Sequence, residues 1–170
     1  MPVLWVVALL GHPVAVGVGW AAAGATDLVD GFVARRAGQT TALGSRLDSL
    51  ADHLLSASGL GWLLLLRPGF FREQWILLAA WMALALVVLV VSWVKFRRVV
   101  DLHLFSAKAA GFAATLFGIS LLVLGSYRPA VFHLVFAACV LAATEALLLL
   151  LTRDRVDEHI GSILRPRRRG

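Results

Sequence analysis

The chain has 170 residues, of which 60% are hydrophobic and 15% charged, with a mean hydropathy of +0.85 and a formal net charge of +6. That balance is too apolar for a water-soluble domain of this size and predicts an all-α, polytopic bundle of transmembrane helices. The basic residues sit in short segments between apolar spans without interleaved exposed aromatics, which excludes a nucleic-acid interface, and a single cysteine, Cys139, excludes a disulfide framework or a cysteine-based metal site within one chain.

In chain order, residues 3–10 are apolar but would extend only ~12 Å as a helix, less than half a hydrocarbon core, and read as the end of a span. Full spans follow at about Pro13 to Val33, Leu43 to Leu66, Trp75 to Val94, Ser106 to Gly125 and Ala130 to Leu151, each near the ~20 residues a bilayer core requires. Five full spans and a partial N-terminal helix thus make a membrane domain over residues 1–152, and residues 153–170 form a basic cytoplasmic tail. Pro13 suits a first helical turn, where its missing N–H has no intrahelical partner in any case. Arg67-Pro68-Gly69 and Tyr127-Arg128-Pro129 read as tight turns between antiparallel neighbours.

Lys and Arg accumulate in cytoplasmic loops. One set of span ends holds Arg35, Arg36, Arg46, Lys95, Arg97, Arg98, Lys108, Arg153, Arg155, Arg165, Arg167, Arg168 and Arg169; the other holds only Arg67, Arg72 and Arg128. The first set is therefore assigned to the cytoplasmic side, and the tail from Arg165 to Arg169 to anionic lipid headgroups. Arg-rich, Lys-poor composition fits a bacterium with a GC-rich genome, hence a multi-pass protein of the cytoplasmic membrane with its chemistry at the cytoplasmic face. The span from Pro13 to Val33 then starts on the opposite side, so that completing residues 3–10 into a whole first span calls for roughly 10 to 25 residues upstream of Met1. Without them, a homodimer partner is expected to cover the second helix.

Ionisable groups inside membrane spans are costly and usually functional. Asp27 and Asp30 are three apart, Asp48 and Asp52 four apart, so each pair projects from one helix face, and the short loop between the two helices makes them antiparallel neighbours. Four carboxylates in one low-dielectric pocket could not all ionise alone. Divalent cations resolve the repulsion: hard oxygen ligands suit Mg²⁺ or Mn²⁺, and two ions would neutralise four charges. Gly31 and Ala34 continue the stripe of Asp27 and Asp30, and Gly44 precedes Asp48 by one turn, so that face lacks bulk where a flat ligand could approach. Arg35 lies about 7.5 Å along the axis from Asp30, a distance that suits a pyrophosphate beside a metal. Taken singly, the small residues also fit helix packing, Arg35 fits a topology determinant, and the aspartates fit a proton or ion carrier.

The spacing Asp27-x2-Asp30-Gly31-x2-Ala34-Arg35-x8-Gly44-x3-Asp48-x3-Asp52 resembles, without a gap, the signature of the CDP-alcohol phosphotransferase family. Its eight fixed positions would coincide by chance on the order of once in 10¹⁰ starting points. The resemblance implies six membrane helices with the signature on the second and third, the first being represented here by residues 3–10. It implies that Asp27, Asp30 and Asp48 bind metal, that Asp52 completes the metal site and acts as general base, and that Gly31, Ala34, Arg35 and Gly44 accommodate the CDP moiety. The implied partners are a lipid such as CDP-diacylglycerol and an acceptor alcohol, with CMP released; a catalytically idle member is the alternative within the family. Lys108, just inside a span, is the strongest candidate for a further phosphate contact, ahead of Lys95, Arg97 and Arg98. His53 points about 100° away from Asp52 and reads as a packing residue. Glu145, alone in the last span, is assigned to either a polar partner or an oligomer contact.

Overall fold

A computed structural model describes residues 1–36, 42–97 and 104–152, with the side chains of all of these except 27, 28, 30–36, 42–50, 52 and 53. Among the described residues there are seven helices and no strands: α1 (Pro2–Leu9), α2 (Pro13–Arg36), α3 (Ala42–Leu66), α4 (Pro68–Glu73), α5 (Trp75–Phe96), α6 (Phe105–Leu124) and α7 (Pro129–Thr152). The protein is an all-α membrane helix bundle.

Helices α5, α6 and α7, of 22, 20 and 24 residues, are each long and apolar enough to cross a membrane. Helices α2 and α3 have spanning length, 24 and 25 residues, and among the described residues they contain the apolar stretches Pro13–Thr26 and Leu54–Leu66. Among the described residues, three of the five expected spans thus qualify by length and composition, and the other two are the helices that carry the acidic signature. A helix runs on through such a stretch because its backbone hydrogen bonds are internal whatever the side chains are. On α5, Trp75 and Trp93 are both largely exposed, at 62% and 55%, and lie about 27 Å apart along the axis, close to a hydrocarbon thickness. That spacing fits the two interfaces where indole rings settle.

One turn expectation is refined. Arg67 alone separates α3 from α4: Pro68 opens a six-residue helix, which its fixed φ and absent N–H favour. Between α1 and α2 the chain reverses at Gly11, whose φ of 76° lies in the left-handed region that glycine adopts without strain.

The chain forms two compact units. The first comprises Met1–Phe71 and Thr115–Tyr127. Its core holds Ala8, Val16, Trp20, Trp62 and Leu122, flanked by Leu4, Val7, Leu55, Leu63, Leu66 and Ile119. Helix α1 packs on α2 and α3. Trp62 is fully buried between two other indoles, with ring centroids 5.9 Å from Trp5 and 5.8 Å from Trp20. Trp5 Nε1 donates to Ser58 Oγ at 3.3 Å, whereas Trp62 Nε1 has no hydrogen-bond partner. At the far end of this unit, Arg67 donates from Nε to the Leu121 carbonyl (3.1 Å) and from Nη2 to that of Leu122 (2.9 Å). Phe70, Phe117 and Tyr127 stack edge-on and tilted nearby.

The second unit comprises the described parts of Arg72–Ala114 and Arg128–Gly170. Here α5 packs on α7, with Leu150 buried against Val88, Val91 and Phe96. Lys95 Nζ donates to the carbonyls of Leu150 and Leu151, both at 3.0 Å. Ser106 Oγ donates to Glu145 Oε2, so the polar-partner reading of Glu145 holds.

Candidate active site

The signature occupies two consecutive helices. Asp27, Asp30, Gly31, Ala34 and Arg35 belong to the last three turns of α2, and Gly44, Asp48 and Asp52 to the first three of α3. Helical backbone at all eight positions puts Asp27 and Asp30 at i, i+3 and Asp48 and Asp52 at i, i+4, the separations at which helical residues are neighbours. The side chains of these eight residues, and of His53, lie outside the described residues. Next to Asp27, the described Thr26 hydroxyl turns back onto its own helix and donates to the Ala22 carbonyl at 2.8 Å. Among the described residues no group of three or more His, Cys, Asp or Glu could hold a metal ion.

Of the cations considered as phosphate contacts, Lys108 is exposed on the first turn of α6, its backbone N–H on the Leu104 carbonyl at 3.1 Å. Lys95 is a different case. Its ammonium is engaged with the last carbonyls of α7, groups that have no intrahelical donor and lie at the negative end of the helix dipole. Arg97 closes α5 in the left-handed conformation, with φ 55° and its N–H on the Trp93 carbonyl at 2.9 Å. Arg98 lies outside the described residues. What sequence reasoning missed are two charged side chains at termini of neighbouring helices, Arg67 at the last turn of α6 and Lys95 at the last turn of α7; Glu145, whose polar partner it anticipated, sits at the first turn of α6 through Ser106. Glu145 gave its signal as a lone acid in an apolar run, whereas neither Arg67 nor Lys95 marked its carbonyl partners in the sequence.

The profile of one protein family, described as CDP-alcohol phosphatidyltransferase, matches residues 1–153. The chain belongs to that family. As a CDP-alcohol phosphatidyltransferase family member it is also similar to two curated proteins, each named cardiolipin synthase (CMP-forming). It is 60% identical to the Homo sapiens protein and 63% identical to the Rattus norvegicus protein, each over 43 residues. Those 43 residues are 25% of this chain and 14% of either relative, so the match covers a small part of the curated proteins. No solved structure matches the chain.

Proposed function

We propose that this protein transfers a phosphatidyl group from CDP-diacylglycerol, or a similar CDP-alcohol, to an acceptor alcohol and releases CMP, at the cytoplasmic face of a membrane. The observation that carries this reading is the complete, ungapped signature on two consecutive helices, inside a family match that runs through almost the whole chain. Asp27, Asp30, Asp48 and Asp52 would hold Mg²⁺ or Mn²⁺. The donor set fits: carboxylate oxygens alone, two from each helix, with no thiolate or imidazole among the signature positions. Bound there, divalent metal supplies charge neutralisation at the transferred phosphoryl group and the departing phosphate. Gly31, Ala34 and Gly44 leave room for the CDP moiety, and Arg35 presents a planar fork to its pyrophosphate. The acceptor oxygen forms a bond to the phosphorus that carries the diacylglycerol, the bond from that phosphorus to the CMP oxygen breaks, and the acceptor proton passes to Asp52.

The names of the two curated relatives bring forward a lipid acceptor. Cardiolipin carries two phosphatidyl groups on one glycerol, so a CMP-forming route to it joins CDP-diacylglycerol to phosphatidylglycerol. The test is CMP release from CDP-diacylglycerol in detergent, with Mg²⁺ or Mn²⁺ against EDTA, across phosphatidylglycerol, glycerol 3-phosphate, serine and an inositol phosphate. Metal-dependent release with one of these acceptors is expected. An ion or proton carrier using the same carboxylates would release none.

A further inference from the structure

Trp20 of α2 lies in a slot with glycine on both sides. A Cβ added at Gly59 of α3 would overlap the Trp20 ring and come within 2.8 Å of Cε2, and one added at Gly118 of α6 would lie 3.1 Å from Cζ3. Trp62 closes the slot edge-on, at an interplanar angle of 74°, and Trp20 is only 5% exposed. The ring cannot slide along α3 without meeting a side chain or leaving the glycine it rests on.

The position of this contact matters because of a numerical match. Helices α2 and α3 are joined by a connection of five residues, 37–41, so they run antiparallel, and a step toward the connection adds a residue on α2 and removes one on α3. From Trp20, seven steps reach Asp27; from Gly59, seven steps reach Asp52. Each run rises about 10.5 Å, and seven residues fall within about 20° of two whole turns, which returns each helix to the face that makes the tryptophan contact. In a register that sets Trp20 level with Gly59, Asp30 falls level with Ser49, one residue from Asp48.

We propose that Trp20 and Gly59 are positioning residues that set the register of the two acid-bearing helices, holding position 27 of α2 level with position 52 of α3. This rests on the metal-site reading of the four aspartates. The demand on register is strict: one residue of slip displaces the helices by about 1.5 Å, whereas metal–ligand distances tolerate about 0.2 Å. Packing two turns away therefore decides whether the carboxylates share an ion.

Two measurements test it. The first is Mn²⁺ binding by the purified protein in detergent, read from the EPR signal of the free ion. Gly59→Ala should weaken binding by about tenfold or more, the size of effect seen when groups that orient metal ligands are lost, and Trp20→Phe/Gly59→Ala, which removes the overlapping ring edge, should return it to within about threefold. The second uses the Cys139→Ser protein with Gly59 intact and compares oxidative cross-linking of Ala23→Cys/Ser56→Cys, level in the proposed register, with Ala23→Cys/Leu60→Cys, one turn out of it. The level pair should cross-link faster. Unchanged Mn²⁺ binding in Gly59→Ala, absence of rescue in the double variant, or faster cross-linking of the out-of-register pair overturns the register assignment. If the wild-type protein itself binds no Mn²⁺, the metal-site reading falls, and cross-linking still decides the register; it decides it also if Gly59→Ala does not fold.

Discussion

Asp48 and Asp52 are the proposed site residues whose loss should separate catalysis from folding most cleanly. Asparagine keeps the volume of aspartate and removes its charge, so Asp48→Asn and Asp52→Asn should leave the helices assembled and reduce CMP release by at least ~10²-fold, the usual size of general-base and metal contributions. Near-normal turnover in both variants, measured alongside unchanged thermal unfolding, would remove them from the active site. These acids were legible because the whole signature fits within residues 27–52: on a helix, spacing alone says which residues share a face. The partners of the structural charges were not legible for the opposite reason. Lys95 meets carbonyls 55 and 56 residues away and Arg67 meets carbonyls 54 and 55 residues away, and no local period encodes such a pairing. Lys95, in the sequence a topology determinant and one of four candidate phosphate contacts, caps α7 in the fold.

Among the elements, α6 is held at both ends by charges of the sign its dipole favours. The Glu145 carboxylate sits at its first turn, through Ser106, and the Arg67 guanidinium at its last carbonyls. In hydrocarbon an unmet terminal carbonyl has no water to turn to, so such caps matter more than on a soluble helix. Arg67→Met, which keeps much of the apolar stem, should lower stability by about 2 kcal/mol or more, as expected for hydrogen bonds to a charged donor. The apparent affinity for the CDP-lipid should not change. Detergent melting curves and substrate titration check the two halves of that statement, and an unchanged melting temperature would return Arg67 to a role in topology alone. Element existence was readable from apolar length, because the bilayer sets a minimum that sequence must meet. Helix α4 was not: six residues, PGFFRE, carry no period, and its helicity follows from Pro68 and from Phe70 packing on Phe117 and Tyr127.

At the scale of the whole molecule, the six tryptophans divide evenly between the two compact units. Trp5, Trp20 and Trp62 form the stacked cluster of the first; Trp75, Trp81 and Trp93 all belong to α5 in the second. The chain thus carries two optical reporters without any label. Indoles with centroids 5.8 and 5.9 Å apart are close enough for their excited states to couple, so the first unit should give a paired positive and negative band in near-ultraviolet circular dichroism, lost in Trp62→Phe. Trp75 and Trp93 of α5 are exposed on its surface instead, and brominated phospholipids should quench their emission by contact. In a variant with Trp75, Trp81 and Trp93 replaced by phenylalanine, the remaining fluorescence should be quenched less, because Trp20 and Trp62 are buried and Trp5 is 37% exposed; quenching as strong as in the unaltered protein would mean that lipid reaches Trp20 and Trp62. Watching the coupled band and the quenched emission during one thermal melt would show, in a single cuvette, whether the unit that carries the acidic signature loses its order before or after the other.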